Sequence, residues 1–354
     1  MAVDRSLLAF GLALSFHTIS GAACATREKP SAFDLLAKSL RCDCGFNVCA
    51  LIQQRDPFGS GLQRVKVDRD RNGKIHKLVL GPLTMQGVES LDDGIRWQTI
   101  LPDENLVLDQ ESPSRDQSGA EKRLRLARKN YRFDFLGETT IAGRRAFRIQ
   151  ACPLRPSLAC RAYVLDAETL YPLKEESIQD GQAQLEFLTL DISFPKALNE
   201  DQFGLRPEVG MKVVKFERPQ SIREPAEARR LLGFTPYMPK GDPLGFEPQE
   251  MQVSQNGDWQ ALVVRLTDGL ARATLYEYMA GTRPVRAMDH STTREIDGVR
   301  LMIVCPLSDS VRNALLDSLV PTSPSLLFHI APPVDGTICP WESVRKNRAP
   351  IASR

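Results

Sequence analysis

Charge of one sign is what this sequence most plainly lacks. Its 46 Lys and Arg stand against 44 Asp and Glu, a formal net charge of +2 over 354 residues. Bulk electrostatics therefore offer no grip on a polyanion, and no nucleic acid is expected as partner. Histidine is scarce, with four residues; His76, His290 and His329 have no neighbouring ligand residue, so no metal site is expected. Gly59-Ser60-Gly61 lacks the second spacer of a nucleophile elbow. Asp92-Asp93 before Gly94 sets a bend. Long apolar runs are missing as well, the longest near the N-terminus (7–16) being too short to span a bilayer. These absences leave no catalytic constellation and call for no cofactor. Binding is the leading reading.

What is present begins with an export signal over residues 1–25. The apolar 7–16 stretch is followed by Ala23-Cys24-Ala25, small residues suited to signal peptidase. Two outcomes stay open: soluble export, or a lipid anchor at Cys24. Eight cysteines fit an oxidising compartment. Cys152 and Cys160 flank a turn-like Pro-Leu-Arg-Pro-Ser-Leu-Ala, where a cross-strand disulfide would contribute about 2–3 kcal/mol on the chain-entropy model. Cys305 with Cys339 would tie the tail to a second domain. Cys42, Cys44 and Cys49 allow at most one internal pair, Cys42 and Cys49 being the candidates.

The length suggests two domains, and 42% apolar residues suffice for a core in each. Residues 31–41 read as an amphipathic helix with Phe33, Leu36 and Leu40 on one face. Short strand-like segments follow at 47–54, 62–68, 74–80, 84–91, 95–101 and 104–109, with Asn72-Gly73 the clearest hairpin turn. Asp68-x-Asp70-x-Asn72-Gly73 begins like a calcium loop, but Val79 stands where the bidentate carboxylate belongs; it reads as a hairpin. A basic helix follows from the Ser118/Glu121 capping-box spacing, then strands at 131–138, 145–152, 160–167, 172–179 and 182–194. Residues 196–220 read as a linker. A smaller α+β unit over 221–320 opens with Ser221 and Glu224 at capping-box spacing, Pro225 in the first turn and Gly233 as terminator. The 321–354 tail carries basic residues and little pattern. The fold class is α+β: an antiparallel half-barrel with packed helices over 31–195, plus the smaller C-terminal unit.

One run is more specific than the rest. Asn130-Tyr131 precedes alternating Phe133 and Phe135, then come Ile141-Ala142-Gly143-Arg144-Arg145, a Tyr163-Val164-Leu165-Asp166 strand and Tyr171-Pro172-Leu173. With Gly87-Val88, Asp92-Asp93-Gly94, Trp97 and Pro102 ahead of it, it resembles the MucB/RseB family. These are periplasmic negative regulators of envelope-stress sigma factors, and their N-terminal fold is shared with lipoprotein carriers. Gly233-Phe234-Thr235-Pro236-Tyr237-Met238-Pro239 and Leu266-Thr267-Asp268-Gly269-Leu270 are similar to the family's C-terminal domain. The resemblance implies a non-catalytic envelope protein that senses lipid or misfolded protein and holds the periplasmic domain of a membrane-bound anti-sigma factor. A periplasmic lipid or lipoprotein carrier is the alternative.

Two site expectations follow. Trp97, Tyr131, Phe133 and Phe135 would line an apolar cavity for an acyl chain or extended peptide, although core packing explains the same alternation. Arg123, Arg125 and Arg128 would meet lipid headgroups or an acidic partner, although a solvated helix face explains them too.

Overall fold

Alternating apolar residues, broken by turn-forming pairs, produce a chain built mainly of antiparallel strands. The computed structural model describes residues 30–41, 45–55, 61–112, 117–155, 158–216, 219–256, 259–282 and 290–322. The export segment, Cys24, Cys42, Cys44, Cys339 and the tail after 322 lie outside the described residues.

Helix α1 (Ala32–Arg41) precedes strands β1 (Val48–Arg55), β2 (Leu62–Arg69), β3 (Ile75–Gly81), β4 (Glu89–Asp92), β5 (Arg96–Leu101) and β6 (Leu106–Glu111). Helix α2 (Gln117–Asn130) leads into β7 (Tyr131–Ile141), β8 (Arg144–Pro153), β9 (Cys160–Asp166), β10 (Pro172–Gln179) and β11 (Gln182–Ser193). The segment expected as linker contributes β12 (Lys212–Lys215), which pairs parallel with β6 and completes a 12-stranded sheet in the order β12-β6-β5-β4-β3-β2-β1-β11-β10-β9-β8-β7.

The second unit comprises β13 (Gln220–Ile222), α3 (Pro225–Leu232), β14 (Tyr237–Pro239), β15 (Glu247–Asn256), β16 (Trp259–Thr267), β17 (Arg272–Met279), β18 (Ser291–Ile296), β19 (Val299–Val304), α4 (Asp309–Asp317) and β20 (Leu319–Pro321). Its six-stranded sheet runs β13-β15-β16-β17-β19-β18, beside a small β14-β20 pair. Among the described residues, no helix is long and apolar enough to cross a membrane.

Local differences from the sequence reading have physical causes. The 84–91 strand starts only at Glu89, because Pro82 opens a 3-10 turn at Leu83–Met85. Ser221 does not cap α3; it lies in β13, and Glu224 takes the N-cap position ahead of Pro225. Gly233 ends α3 as expected, in the left-handed region at φ 75°, its N–H donating to Arg229 O.

A hydrophobic cluster centres on each unit, and each takes a residue from the other: Leu270 joins the first and Leu158 the second. Leu36 of α1 packs with Ala127, Tyr131, Ile149, Ala151, and Leu165 against the large sheet. In the second unit α3 and α4 bring Ala228, Val311 and Leu315 onto Leu262, Leu275 and Ile303.

Candidate functional site

The run that carries the family resemblance folds as a structural lock. Asp166, fully buried, accepts from the Glu168 and Thr169 N–H groups and from the Thr169 hydroxyl, closing the turn after β9. Arg144 donates to both oxygens of Asp166, at 2.5 and 3.2 Å. Burial alone would raise the Asp166 pKa, but these bonds outweigh it and hold the carboxyl below its ordinary range.

The aromatic residues of β7 are core-facing. Tyr131 is 4% exposed, and Phe133 and Phe135 pack half-buried against the same cluster as α1. Phe33 meets Phe133 edge-on at 5.1 Å. Trp97 is half-buried on β5, opposite Asp92 and Gln110. None of Trp97, Tyr131, Phe133 or Phe135 lines the large cavity described below. Around Tyr131, Phe133 and Phe135, α1 packs onto the sheet through Leu36 and Phe33.

The basic helix divides its charges. Arg125 and Arg128 are exposed, and Arg128 lies over the Phe33 ring at 5.3 Å. Arg123 turns inward, where burial lowers its pKa against the pull of Tyr163 and Glu175, and its Nε is buried without a hydrogen-bond partner among the described residues. The helix also docks on the second unit. Lys122 donates to Pro248 O at 2.6 Å, and Lys129 pairs with Asp242 and Glu247 at 3.0 and 3.6 Å.

That docking extends to the end of the helix. Asn130 Nδ2 donates to Gly245 O and Asp268 O, and the Tyr131 hydroxyl donates to Asp268 Oδ2 at 2.6 Å. Gly269 lies so close to α2 that a Cβ there would fall 2.1 Å from Ala127 N. The Leu266–Leu270 turn, read from sequence as a family signature, is thus the contact point between the two units.

The two units also line a half-open cavity of about 700 Å³, within the usual range for ligand sites. The large sheet contributes Ile52, Val67, Ile75 and Phe187; the second unit contributes Thr274 and Val304. Set into these walls are Arg55, Arg69, Lys77 and Arg272, against Glu186 as the sole carboxylate among the described lining residues. Glu186 is engaged with Arg55 at 3.7 Å.

The other three cations have no ion-pair partner among the described residues, and the Arg69 Nε is buried without a hydrogen-bond acceptor. Lys77 and Arg272 are both solvent-exposed at the rim, with protein packed densely around them. Burial pushes the Lys77 pKa down against the pull of Asp92. Burial, then repulsion from Arg123, Arg265 and Arg161, lowers Arg272 to about 10. Such a cluster of like charges offers charge-assisted contacts to an anionic group.

Sequence reasoning missed these residues, though part of the pattern was there. Val67 stands opposite Lys77 and Arg69 opposite Ile75, so two cations interrupt one apolar face of the β2–β3 hairpin. Arg272 comes from the other unit and carried no local signal. Tyr171 and Pro172, quoted for the family resemblance, do line the cavity.

Of the cysteines, Cys152 and Cys160 form the expected disulfide. Cys49 and Cys305 are free thiols, and their expected partners, Cys42 and Cys339, lie outside the described residues. Burial, then a hydrogen bond to Asp68, pushes the Cys49 thiol up to about 11; Cys305 is 1% exposed and is pushed up by burial. A raised pKa leaves less thiolate, the nucleophilic form, at neutral pH.

No protein-family model matches the chain, and no curated protein matches its sequence. Solved structures do. MucB in complex with MucA(peri) aligns with a TM-score of 0.58 at 16% identity, covering 82% of this chain and 99% of that one. The Pseudomonas aeruginosa MucA/MucB complex gives 0.56 at 16%, covering 82% and 99%. MucB alone gives 0.53 at 18%, covering 82% and 98%. The chain therefore has a MucB-like fold across both units.

Proposed function

We propose that this chain is a non-catalytic binding protein of the cell envelope, exported by its N-terminal segment. In this reading it is a negative regulator of an envelope-stress sigma factor. It holds the periplasmic domain of a membrane-bound anti-sigma factor and senses an envelope-derived ligand. Residues 31–195 form the sensing unit, with the half-barrel of the family, and 221–320 the smaller partner-holding unit.

The observation that carries the reading is the cavity between the units, largely apolar on its walls and lined by four cations against one carboxylate. It suits an amphiphile with an acyl chain and an anionic head, the chain burying apolar surface and the head meeting Arg69, Lys77 and Arg272. A ligand gripped by both units biases their spacing, and only a ligand that prefers one spacing shifts partner binding. That solved MucB structures contain MucA supports a partner of that kind. The carrier alternative uses the large sheet alone, whereas here Arg272, Thr274 and His290 of the second unit share the cavity.

The full chain, immobilised and exposed to envelope extract, should retain the periplasmic part of an anti-sigma factor, identified by mass spectrometry. Dodecyl phosphate should lower its recovery. Ligand binding with no such partner, or with recovery unchanged, would favour the carrier.

A further inference from the structure

The Cys152–Cys160 disulfide stands at the junction of the two units. It joins the end of β8 to the start of β9, one step beyond the Ala151–Arg161 register pair. The described residues of the connection it closes reach across to the second unit. Leu158 is 7% exposed and belongs to the second unit's core, with Phe246, Leu262 and Leu266. Arg155 donates to Asp242 O at 3.3 Å and lies 3.5 Å from its carboxylate. The Leu154 N–H donates to the backbone carbonyl of Asn130, whose side chain grips Gly245 and Asp268.

We propose that this disulfide is a redox-responsive clasp: oxidised, it holds Arg155 and Leu158 against the second unit, and reduced, it lets the two units part. Both cysteines are half-buried, so a small dithiol reaches them. The step balances: the dithiol gives two electrons and two protons, the Sγ–Sγ bond breaks to two thiols, and the reductant closes to its own disulfide. The β8–β9 ladder survives without the bond, while Arg155 and Leu158 lose the tether that closes their loop. Because the cavity takes walls from both units, the clasp sets how well it is formed.

Hydrogen exchange on the full chain, before and after native reduction by dithiothreitol, tests this. Alkylation mass shifts confirm that the bond has opened. Amides of the 243–246 and 268–271 turns should exchange on the order of tenfold faster, while β1 and β11 stay unchanged. Oxidised Leu158→Ala should reproduce the pattern, as should the Cys152→Ala/Cys160→Ala pair. Unchanged exchange at both turns, or a uniform rise across the chain, would overturn the clasp. No ligand or partner enters the experiment, so its failure is separable from failure of the proposed function.

Discussion

Gly269 has no room for a methyl group. Its φ is +110°, and an added Cβ would fall 2.1 Å from a backbone nitrogen of α2. Gly269→Ala therefore has to push the units apart, and denaturant unfolding should show a loss of about 3 kcal/mol or more. Glu277 argues at the same scale. It is fully buried on β17, with Oε2 accepting from Tyr237 N at 2.8 Å and Oε1 without a hydrogen-bond partner among the described residues. Burial raises its pKa well above 4.5, against the Tyr237 bond, so the folded chain keeps it neutral where the unfolded chain ionises it. The unfolded state then binds fewer protons. Its contribution to stability is present below 4.5 and falls as pH rises towards the raised folded value, by about 1.4 kcal/mol per pH unit in that window. Glu277→Gln should remove that slope, as unfolding midpoints measured across pH would show.

At the scale of elements, α1 is the lid over the aromatic face of β7. Its Leu36 is 2% exposed, so Leu36→Ala should cost about 2–5 kcal/mol in denaturant unfolding. The strands were legible because period-two alternation and turn pairs such as Asn72-Gly73 are local properties. Asp70, for example, accepts from Lys74 N at 2.7 Å in that hairpin, with a turn taking the place of a calcium loop. What covers a face is decided by distant chain. Nothing near Tyr131, Phe133 and Phe135 says that α1 lies over them, and nothing near Arg272 says that Lys77 sits across a cavity. The pairing of β12 with β6 was equally hidden, since the Val213-Val214 pair is short and its partner lies a hundred residues earlier. The cysteine pairing was readable at Cys152 and Cys160 because the strands they end are neighbours.

For the whole molecule, the central claim is that two units of a MucB-like fold line a half-open, cation-bearing cavity for an anionic amphiphile. The docking between them is extensive enough, from Lys122 to Asp268 and Leu158, that the described chain should unfold calorimetrically as one cooperative transition. Two separated transitions would show that the units are only loosely joined. The claim itself is tested most directly by titration calorimetry of the full chain with dodecyl phosphate and with uncharged dodecyl maltoside. Saturable binding of the phosphate is expected, weakened on the order of ten- to hundredfold by Arg272→Gln as a charge-assisted contact is lost. Equal affinity for the two amphiphiles, or no effect of Arg272→Gln and Lys77→Gln, would contradict it.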